Sequence, residues 1–217
     1  MLTKDKIIQI IHDSFEVTTN LNLETHHQAK LYCLANKVLA DQIVIQHLDL
    51  IANYDSETFG HCLRTGMIVA DLYLVDSHLE SPKQTNGDLE TNMVAGFLHD
   101  YGKREIPLEI LKAEKYTNEE RREYITELKE DDREGERRAT KRRKSRPWIK
   151  RCQRLLNLAD ILDGIGSVRE YQKILPNKPF TNQEIITALN NTFPAEQPLI
   201  KHIQETYLNN RIATTSD

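Results

Sequence analysis

Apolar residues along this chain recur at the spacing of a helix rather than that of a strand. From Lys4 to about Ile51 they return every three to four positions, with a polar break at Thr18–Glu24 that predicts two separate helices. We find no alternating apolar and polar run of convincing length and no internal repeat. The pattern predicts an all-α fold.

The next helical segment has two distinct faces. Apolar residues at i, i+4, i+7 and i+11 predict a core-facing stripe: Leu63, Met67, Ala70 and Leu74. A second face of the same helix carries candidate functional residues together with their neighbours: His61, Arg64, Thr65 and Ile68.

Turn-forming residues then divide the chain. Residues 76–87 contain Ser, Pro, Asn and Gly, which predicts a loop, and Leu89–Leu98 predicts a short helix that Gly102 ends. A T-x-x-E capping box at Thr117–Glu120 opens a strongly charged helix to about residue 136.

The C-terminal part repeats this helical character. Leu155–Ile165 predicts an apolar helix, and a second capping box at Thr181–Glu184 opens another. Pro194 and Pro198 bracket a predicted turn before the last helix.

Composition narrows the class of protein. The chain has 217 residues, enough for one domain with a sizeable core, and 29% of them are charged. Its start is too charged for a signal peptide, and no apolar run reaches the length of a membrane span. Cys33, Cys62 and Cys152 are far apart and predict neither disulfides nor a cysteine zinc site. We expect a soluble, cytoplasmic protein that does not bind membranes.

One segment is strongly basic, since Arg137–Arg151 contains nine Lys or Arg residues and no acid. It is either a patch for nucleotide phosphates or nucleic acid, with Trp148 stacking on a base, or a solvated surface that pairs with the acidic residues 125–136. The second interpretation is favoured.

The candidate chemistry lies in His61, the pair His99-Asp100, and Asp160, each on or beside a predicted helix. Divalent metals accept imidazole nitrogen together with carboxylate oxygen, and a helical bundle can bring such ligands together. A single His or Asp is more often a packed or surface residue. The ordered set favours a metal site, whereas His12, His47, His78 and His202 are interpreted as surface residues.

Three strings in the chain resemble the HD superfamily of metal-dependent phosphohydrolases, most closely its HD-GYP branch. They are H-x-x-R at His61 and Arg64, LHDYGKREIPLEILKAEKYTNEE from Leu98, and LLNLADILDGIGSVREYQK from Leu155. The resemblance covers about residue 55 to the C-terminus and implies an HD-domain helical bundle, with residues 1–54 as N-terminal helices packed on the main domain 55–217.

The resemblance also implies roles for individual residues. The metal ligands would be His61, His99, Asp100 and Asp160. Lys103 would hold the substrate phosphate, with Arg64 as a further cation, and Asp100 would also orient a water molecule. Glu57 matches a position where some members supply an additional ligand, although an exposed Glu is the simpler interpretation. Asp163, one turn after Asp160, is left open as a residue that orients a ligand, a general acid or a surface ion pair.

The chain departs from the HD-GYP branch in its middle. Residues 119–157 contain no His, so the His, His-His-Glu and GYP residues of a second metal position are missing, and the divergent charged segment 119–151 replaces them. We therefore expect one divalent ion, of Mn, Fe, Mg, Ni or Zn, and not the hydrolysis of cyclic di-GMP.

Two functions remain from different classes. The first is a phosphohydrolase that acts on a phosphoester of a nucleotide or cyclic nucleotide through a mononuclear HD site. The second is a degenerate, inactive HD module that binds a nucleotide or a protein partner in signalling.

Overall fold

The computed structural model describes residues 2–19, 25–80, 86–105, 108, 147–166 and 181–208. These residues form helices and no strand, which confirms the predicted all-α fold. In chain order the elements are α1 (Lys4–Thr19), α2 (Thr25–Val38), α3 (Gln42–Tyr54), α4 (Ser56–Glu80), α5 (Asn86–Leu98), a 3₁₀ helix (Tyr101–Glu105), α6 (Pro147–Gly166), α7 (Asn182–Thr192), α8 (Gln197–Ile203) and a π-helical turn (Gln204–Leu208).

The N-terminal part contains three helices, so the prediction of two was wrong. The additional break separates α2 from α3 at Asp41, which has extended backbone angles and accepts a hydrogen bond from the Ile43 N–H at 2.8 Å. An Asp at this position satisfies one of the unpaired N–H groups that begin a helix. Because apolar residues continue on both sides, periodicity alone did not reveal the break.

Helix α4 is the central helix. Its start is fixed by Asp55, whose carboxylate accepts hydrogen bonds from the backbone and the hydroxyl of Thr58 at 2.8 and 2.7 Å. The predicted core stripe is buried, and so is the face assigned to chemistry, since His61 is only 3% exposed and Thr65 is fully buried. The functional face therefore points into the protein.

The loop expected at residues 76–87 begins later than predicted, because α4 continues to Glu80. Asp76 is buried and accepts hydrogen bonds from two guanidinium groups of α6, Arg151 at 2.5 Å and Arg154 at 3.1 Å. These partners from a distant part of the chain stabilise a helical turn whose composition predicts a loop.

Helices α4 and α5 cross in very close contact through two glycines. A Cβ atom on Gly96 would lie 2.4 Å from the Gly66 Cα, and one on Gly66 would lie 2.1 Å from the ring of Phe97. No side chain fits at either position. This contact brings the two helices together near His61 on α4 and His99 at the end of α5.

The C-terminal helices confirm one prediction and correct two. The capping box at Thr181–Glu184 is present at the start of α7. Pro198 lies in the first turn of α8 rather than in the preceding turn, because proline is tolerated where a helix lacks N–H partners. His202 is not a surface residue, because its Nε2 lies 2.7 Å from the buried carboxylate of Asp71.

Buried side chains from all eight α-helices form one hydrophobic cluster. None of the described helices has the length and hydropathy needed to cross a membrane. The charged helix predicted at 117–136 and the basic residues 137–146 lie outside the described residues. The division into residues 1–54 and 55–217 stays a prediction.

Candidate metal centre

Three elements bring the predicted metal ligands together. Helix α4 supplies His61, the turn after α5 supplies His99 and Asp100, and α6 supplies Asp160. His61, His99 and Asp160 offer ligand atoms that all lie within 4.8 Å of one another. Residues separated by about a hundred positions in sequence therefore converge on one centre.

Hydrogen bonds at Nδ1 determine which nitrogen each imidazole presents. His61 Nδ1 lies 2.6 Å from Asp163 Oδ2, and His99 Nδ1 lies 2.8 Å from the carbonyl oxygen of Gly96. Because carboxylate and carbonyl oxygens accept, both Nδ1 atoms donate. In the neutral rings the Nε2 lone pairs are then available, and the two Nε2 atoms face each other at 3.0 Å.

Carboxylate oxygens complete the cluster. Asp160 Oδ1 lies 3.0 Å from His61 Nε2 and 3.7 Å from His99 Nε2, and Asp100 Oδ2 lies 3.6 and 3.4 Å from the same two atoms. Ligands about 2.1 Å from a metal lie about 3.0 Å apart at a right angle and about 3.4 Å apart at the tetrahedral angle. Asp100 approaches both imidazoles but is not among the side chains whose ligand atoms all lie within 4.8 Å of one another, so the set that fits a single divalent cation is His61, His99 and Asp160.

The neighbouring charges of the cluster shift the pKa values of His99 and Asp160 in opposite directions. Burial by itself would lower the pKa of His99, but the hydrogen bonds to Asp160 and Cys62 and the charge of Asp100 raise it to about 10. Hydrogen bonds from His61 and His99 lower the pKa of the Asp160 carboxyl far below its usual range. The centre is thus a concentration of negative charge and lone pairs that favours a positive ion.

Asp163 lies behind His61 in a buried position, so a surface ion pair does not describe it. The Arg64 guanidinium donates two hydrogen bonds to its carboxylate, from Nε at 2.6 Å and from Nη2 at 3.1 Å. Burial would raise the pKa of Asp163, but the hydrogen bonds from His61 and Arg64 outweigh it and lower that pKa. An ionised Asp163 holds the His61 ring with Nε2 toward the centre.

Of the two residues expected to neutralise phosphate charge, Lys103 lies beside the ligand atoms, and Arg64 lies behind His61. Lys103 forms an ion pair with Asp100 Oδ2, the oxygen that also faces the imidazoles. Arg64 reaches the centre only through Asp163 and His61 in these contacts. Lys103 is the cation beside the candidate ligand atoms, whereas Arg64 holds Asp163, which in turn orients His61.

Glu57 is partly buried in the first turn of α4 and is not among the side chains that converge within 4.8 Å. Its role as an additional ligand stays a prediction. Arg151, the last residue of the basic segment, donates to Asp76 instead of facing outward, whereas residues 137–146 and the Trp148 side chain fall outside the described part of the chain.

Sequence reasoning missed two supports of the site. The Gly96 carbonyl that orients His99 has no side-chain signature, and the Gly66–Gly96 contact requires knowing which helices pack together. Cys62, next to His61 in the chain, is buried and interacts with His99, although the sequence suggested only that it forms no disulfide. The spacing of Asp163 one turn after Asp160 was the available signal for its role.

Comparison with known protein families matches one segment of the chain. The family model of the HD domain matches residues 58–165, which include His61, His99, Asp100 and Asp160. Searches of the curated proteins and of the solved structures gave no match. HD domains typically bind a divalent metal, in agreement with the side chains that meet here. The match of residues 58–165 to the HD domain supports a relation of this segment to the HD superfamily.

Proposed function

We propose that this protein hydrolyses a phosphoester of a nucleotide or cyclic nucleotide at a mononuclear metal centre. The proposed ligands are His61, His99, Asp100 and Asp160. We further propose that the chain is related to the HD-GYP branch and keeps only the first of its metal positions. Because the chain lacks the His residues of the further positions, a single ion is proposed.

The observation that carries the proposal is the orientation of the two imidazoles. Both rings donate at Nδ1, to Asp163 and to Gly96, so both present Nε2 to a space bordered by carboxylates. Two neutral lone pairs 3.0 Å apart repel each other, and only a shared proton or a cation relieves the repulsion. Imidazoles that ligate metals in proteins usually donate their other N–H to a carboxylate or a backbone carbonyl, as His61 and His99 do here.

The residues around the centre suit phosphoester hydrolysis. A divalent metal bound there supplies acidity to a water molecule and polarises a phosphoryl oxygen. Lys103 Nζ, already in contact with a proposed ligand, is placed to bind a phosphate oxygen by a charge-assisted hydrogen bond. Asp100 holds Lys103 and is placed to orient the attacking water. Arg64 keeps Asp163 ionised and His61 in position.

Metal analysis and substrate screening test the proposal. Protein purified without chelator should contain about one divalent ion per chain, and a panel of phosphomonoesters and cyclic nucleotides with added Mn, Fe, Mg, Ni or Zn should reveal turnover. Lys103→Ala should raise KM more than it changes metal content, since the ammonium binds substrate rather than metal. Absence of metal and turnover in the wild type, or turnover unchanged in Asp100→Ala, would refute the proposal.

A second function is favoured by a different observation. Both candidate phosphate cations are paired with carboxylates, Lys103 with Asp100 and Arg64 with Asp163. This arrangement also suits an HD module that binds a nucleotide or a protein partner without turnover. Tight nucleotide binding with no hydrolysis at any metal would select this alternative, and turnover that is lost in His61→Ala would exclude it.

A further inference from the structure

The turn that carries Asp100 and Lys103 is attached to α3 by a stack of side chains. The ring of Tyr101 lies against that of His47 on α3, with centroids 4.6 Å apart and planes at 53°. The guanidinium carbon of Arg104 lies 4.0 Å from the centre of the Tyr101 ring. Tyr101 thus contacts a neighbouring helix on one side and its own turn on the other.

His47 is itself held in place. Its Nδ1 lies 2.7 Å from the carbonyl oxygen of Ile43, so this nitrogen donates and the ring orientation follows the helix backbone. Helix α3 is anchored by four buried side chains: Val44, Ile45, Leu48 and Ile51. The stack therefore joins the turn to a packed helix rather than to a surface side chain that changes rotamer freely.

The turn is only partly buried, and its Tyr101 also packs against the hydrophobic core. None of its residues from Tyr101 to Glu105 is buried. Within the turn, the Lys103 N–H donates to the Asp100 carbonyl at 2.9 Å, so the position of Tyr101 is coupled to both neighbours that face the metal centre.

We propose that His47 is a positioning residue for the metal centre. By stacking on Tyr101 it holds the 3₁₀ turn so that the Asp100 carboxylate and the Lys103 ammonium face His61 and His99. Residue 47 precedes the segment that matches the HD family model, residues 58–165, so an N-terminal helix outside the match contributes to the site. The inference rests on the proposed metal centre.

Three variants test it. His47→Ala removes the ring, and His47→Phe keeps an aromatic surface against Tyr101. His12→Ala is the matched control. His12 also forms a ring contact between N-terminal helices, with the centroid of Tyr32 5.6 Å away, but its partner is not part of the turn that carries Asp100 and Lys103. The measurements are hydrogen exchange of peptides covering residues 100–105 in metal-free protein, Mn²⁺ affinity by electron paramagnetic resonance, and thermal unfolding.

In His47→Ala we expect faster exchange of the turn and Mn²⁺ affinity about 10-fold weaker, the lower end of the effect of residues that orient metal ligands. His47→Phe should restore both, and His12→Ala should leave both at wild-type values. A purely structural role for His47 would change unfolding alone and would not be rescued at the turn by Phe.

The outcomes separate this inference from the proposed function. If wild-type protein binds no Mn²⁺ or other divalent ion, the proposed function fails, and the positioning role fails with it. If wild type binds Mn²⁺ but His47→Ala leaves exchange or affinity unchanged, or His12→Ala lowers affinity equally, the positioning role is overturned while the metal centre stands.

Discussion

Helices α4 and α6 meet at two clusters of acidic side chains, and the negative charge of each cluster is neutralised in a different way. Toward the C-terminal end of α4, buried Asp76 meets the guanidinium groups of Arg151 and Arg154, and Arg154 also reaches Glu196 at 3.3 Å. Near the N-terminal end of α4, His61 faces Asp100, Asp160 and Asp163. Both clusters join the same two helices through buried carboxylates.

The difference lies in what neutralises the charge. At the Asp76 cluster the protein supplies the cations itself, and a fixed guanidinium leaves no place for an ion. At the candidate metal centre Arg64 pairs with Asp163 and Lys103 with Asp100, whereas Asp160 and the two Nε2 atoms lie close enough to one another to share a cation.

Buried acid alone is therefore a poor indicator of a metal site. A better indicator is a pair of imidazoles that donate at Nδ1 to the protein and direct their Nε2 lone pairs toward one point. Such lone pairs specify both the kind of ion and its position. Variants at the two clusters should separate metal binding from stability.

The largest effect is expected from removing a ligand. Asp160→Asn should lower metal content and any hydrolysis below detection, because a neutral amide cannot replace the carboxylate among the ligands. Plasma mass spectrometry and a turnover assay measure the two quantities. Asp76→Asn is the matched control at the other cluster and should retain metal; an Asp160→Asn protein that keeps full metal content would refute the role.

The next effect is on stability alone. Asp76→Ala leaves two partly buried guanidinium groups without their carboxylate, and the free energy of unfolding should fall by about 3 kcal/mol, the lower end for a broken buried ion pair because Arg154 is 31% exposed. Urea unfolding measures it.

The exposed pair between Lys201 and Glu205, 3.8 Å apart, provides the control for Asp76. Glu205→Ala should change stability by less than about 0.5 kcal/mol. If Asp76→Ala weakened Mn²⁺ binding as strongly as stability, the two clusters would not be independent.

The glycine contact should affect both properties. Gly96→Ala forces α4 and α5 apart and should lower the free energy of unfolding by about 1–3 kcal/mol. Metal binding should also weaken, since His61 lies on α4 and His99 directly follows α5. Gly102→Ala serves as control, because a Cβ there meets nothing within 4 Å. Equal stability of the two variants would contradict the close contact.

Asp163→Asn should act more mildly. The amide can turn its NH₂ toward His61 Nδ1, which favours the tautomer with hydrogen on Nε2, and metal affinity should fall about 10- to 100-fold. Isothermal titration with Mn²⁺ measures the change, and the backbone fold should persist in circular dichroism. Unchanged affinity would mean that Asp163 does not orient His61.

The smallest expected effect is the release of protons when metal binds. The metal-free protein has a His99 pKa raised to about 10 from 6.5, so this proton stabilises the fold fully below pH 6.5, and that stability is lost as pH rises through 10. At pH 7.5 metal binding should therefore release protons, detectable with a weakly buffered indicator. Asp76→Asn should release as many, and His99→Ala should release fewer; no release from wild type would contradict the raised pKa.

Local sequence signals predicted the elements that depend on neighbouring residues. The capping box at Thr181–Glu184 and the buried stripe from Leu63 to Leu74 are confirmed, because both are set by spacing along one helix. The break at Asp41 and the extension of α4 beyond Asp76 were not predicted. The first lies within a continuous apolar pattern, and the second depends on arginines that are distant in sequence.

The sequence by itself determined the all-α class, the order of the site residues and the likeness to the HD superfamily, because helix periodicity and motif strings are local properties. Tertiary structure alone decided that His61, His99 and Asp160 meet, that Asp163 and the Gly96 carbonyl orient the imidazoles, and that His47 lies against the turn of Asp100. These facts depend on which helices pack together and how closely, and at Gly66 and Gly96 that distance is set by the absence of side chains.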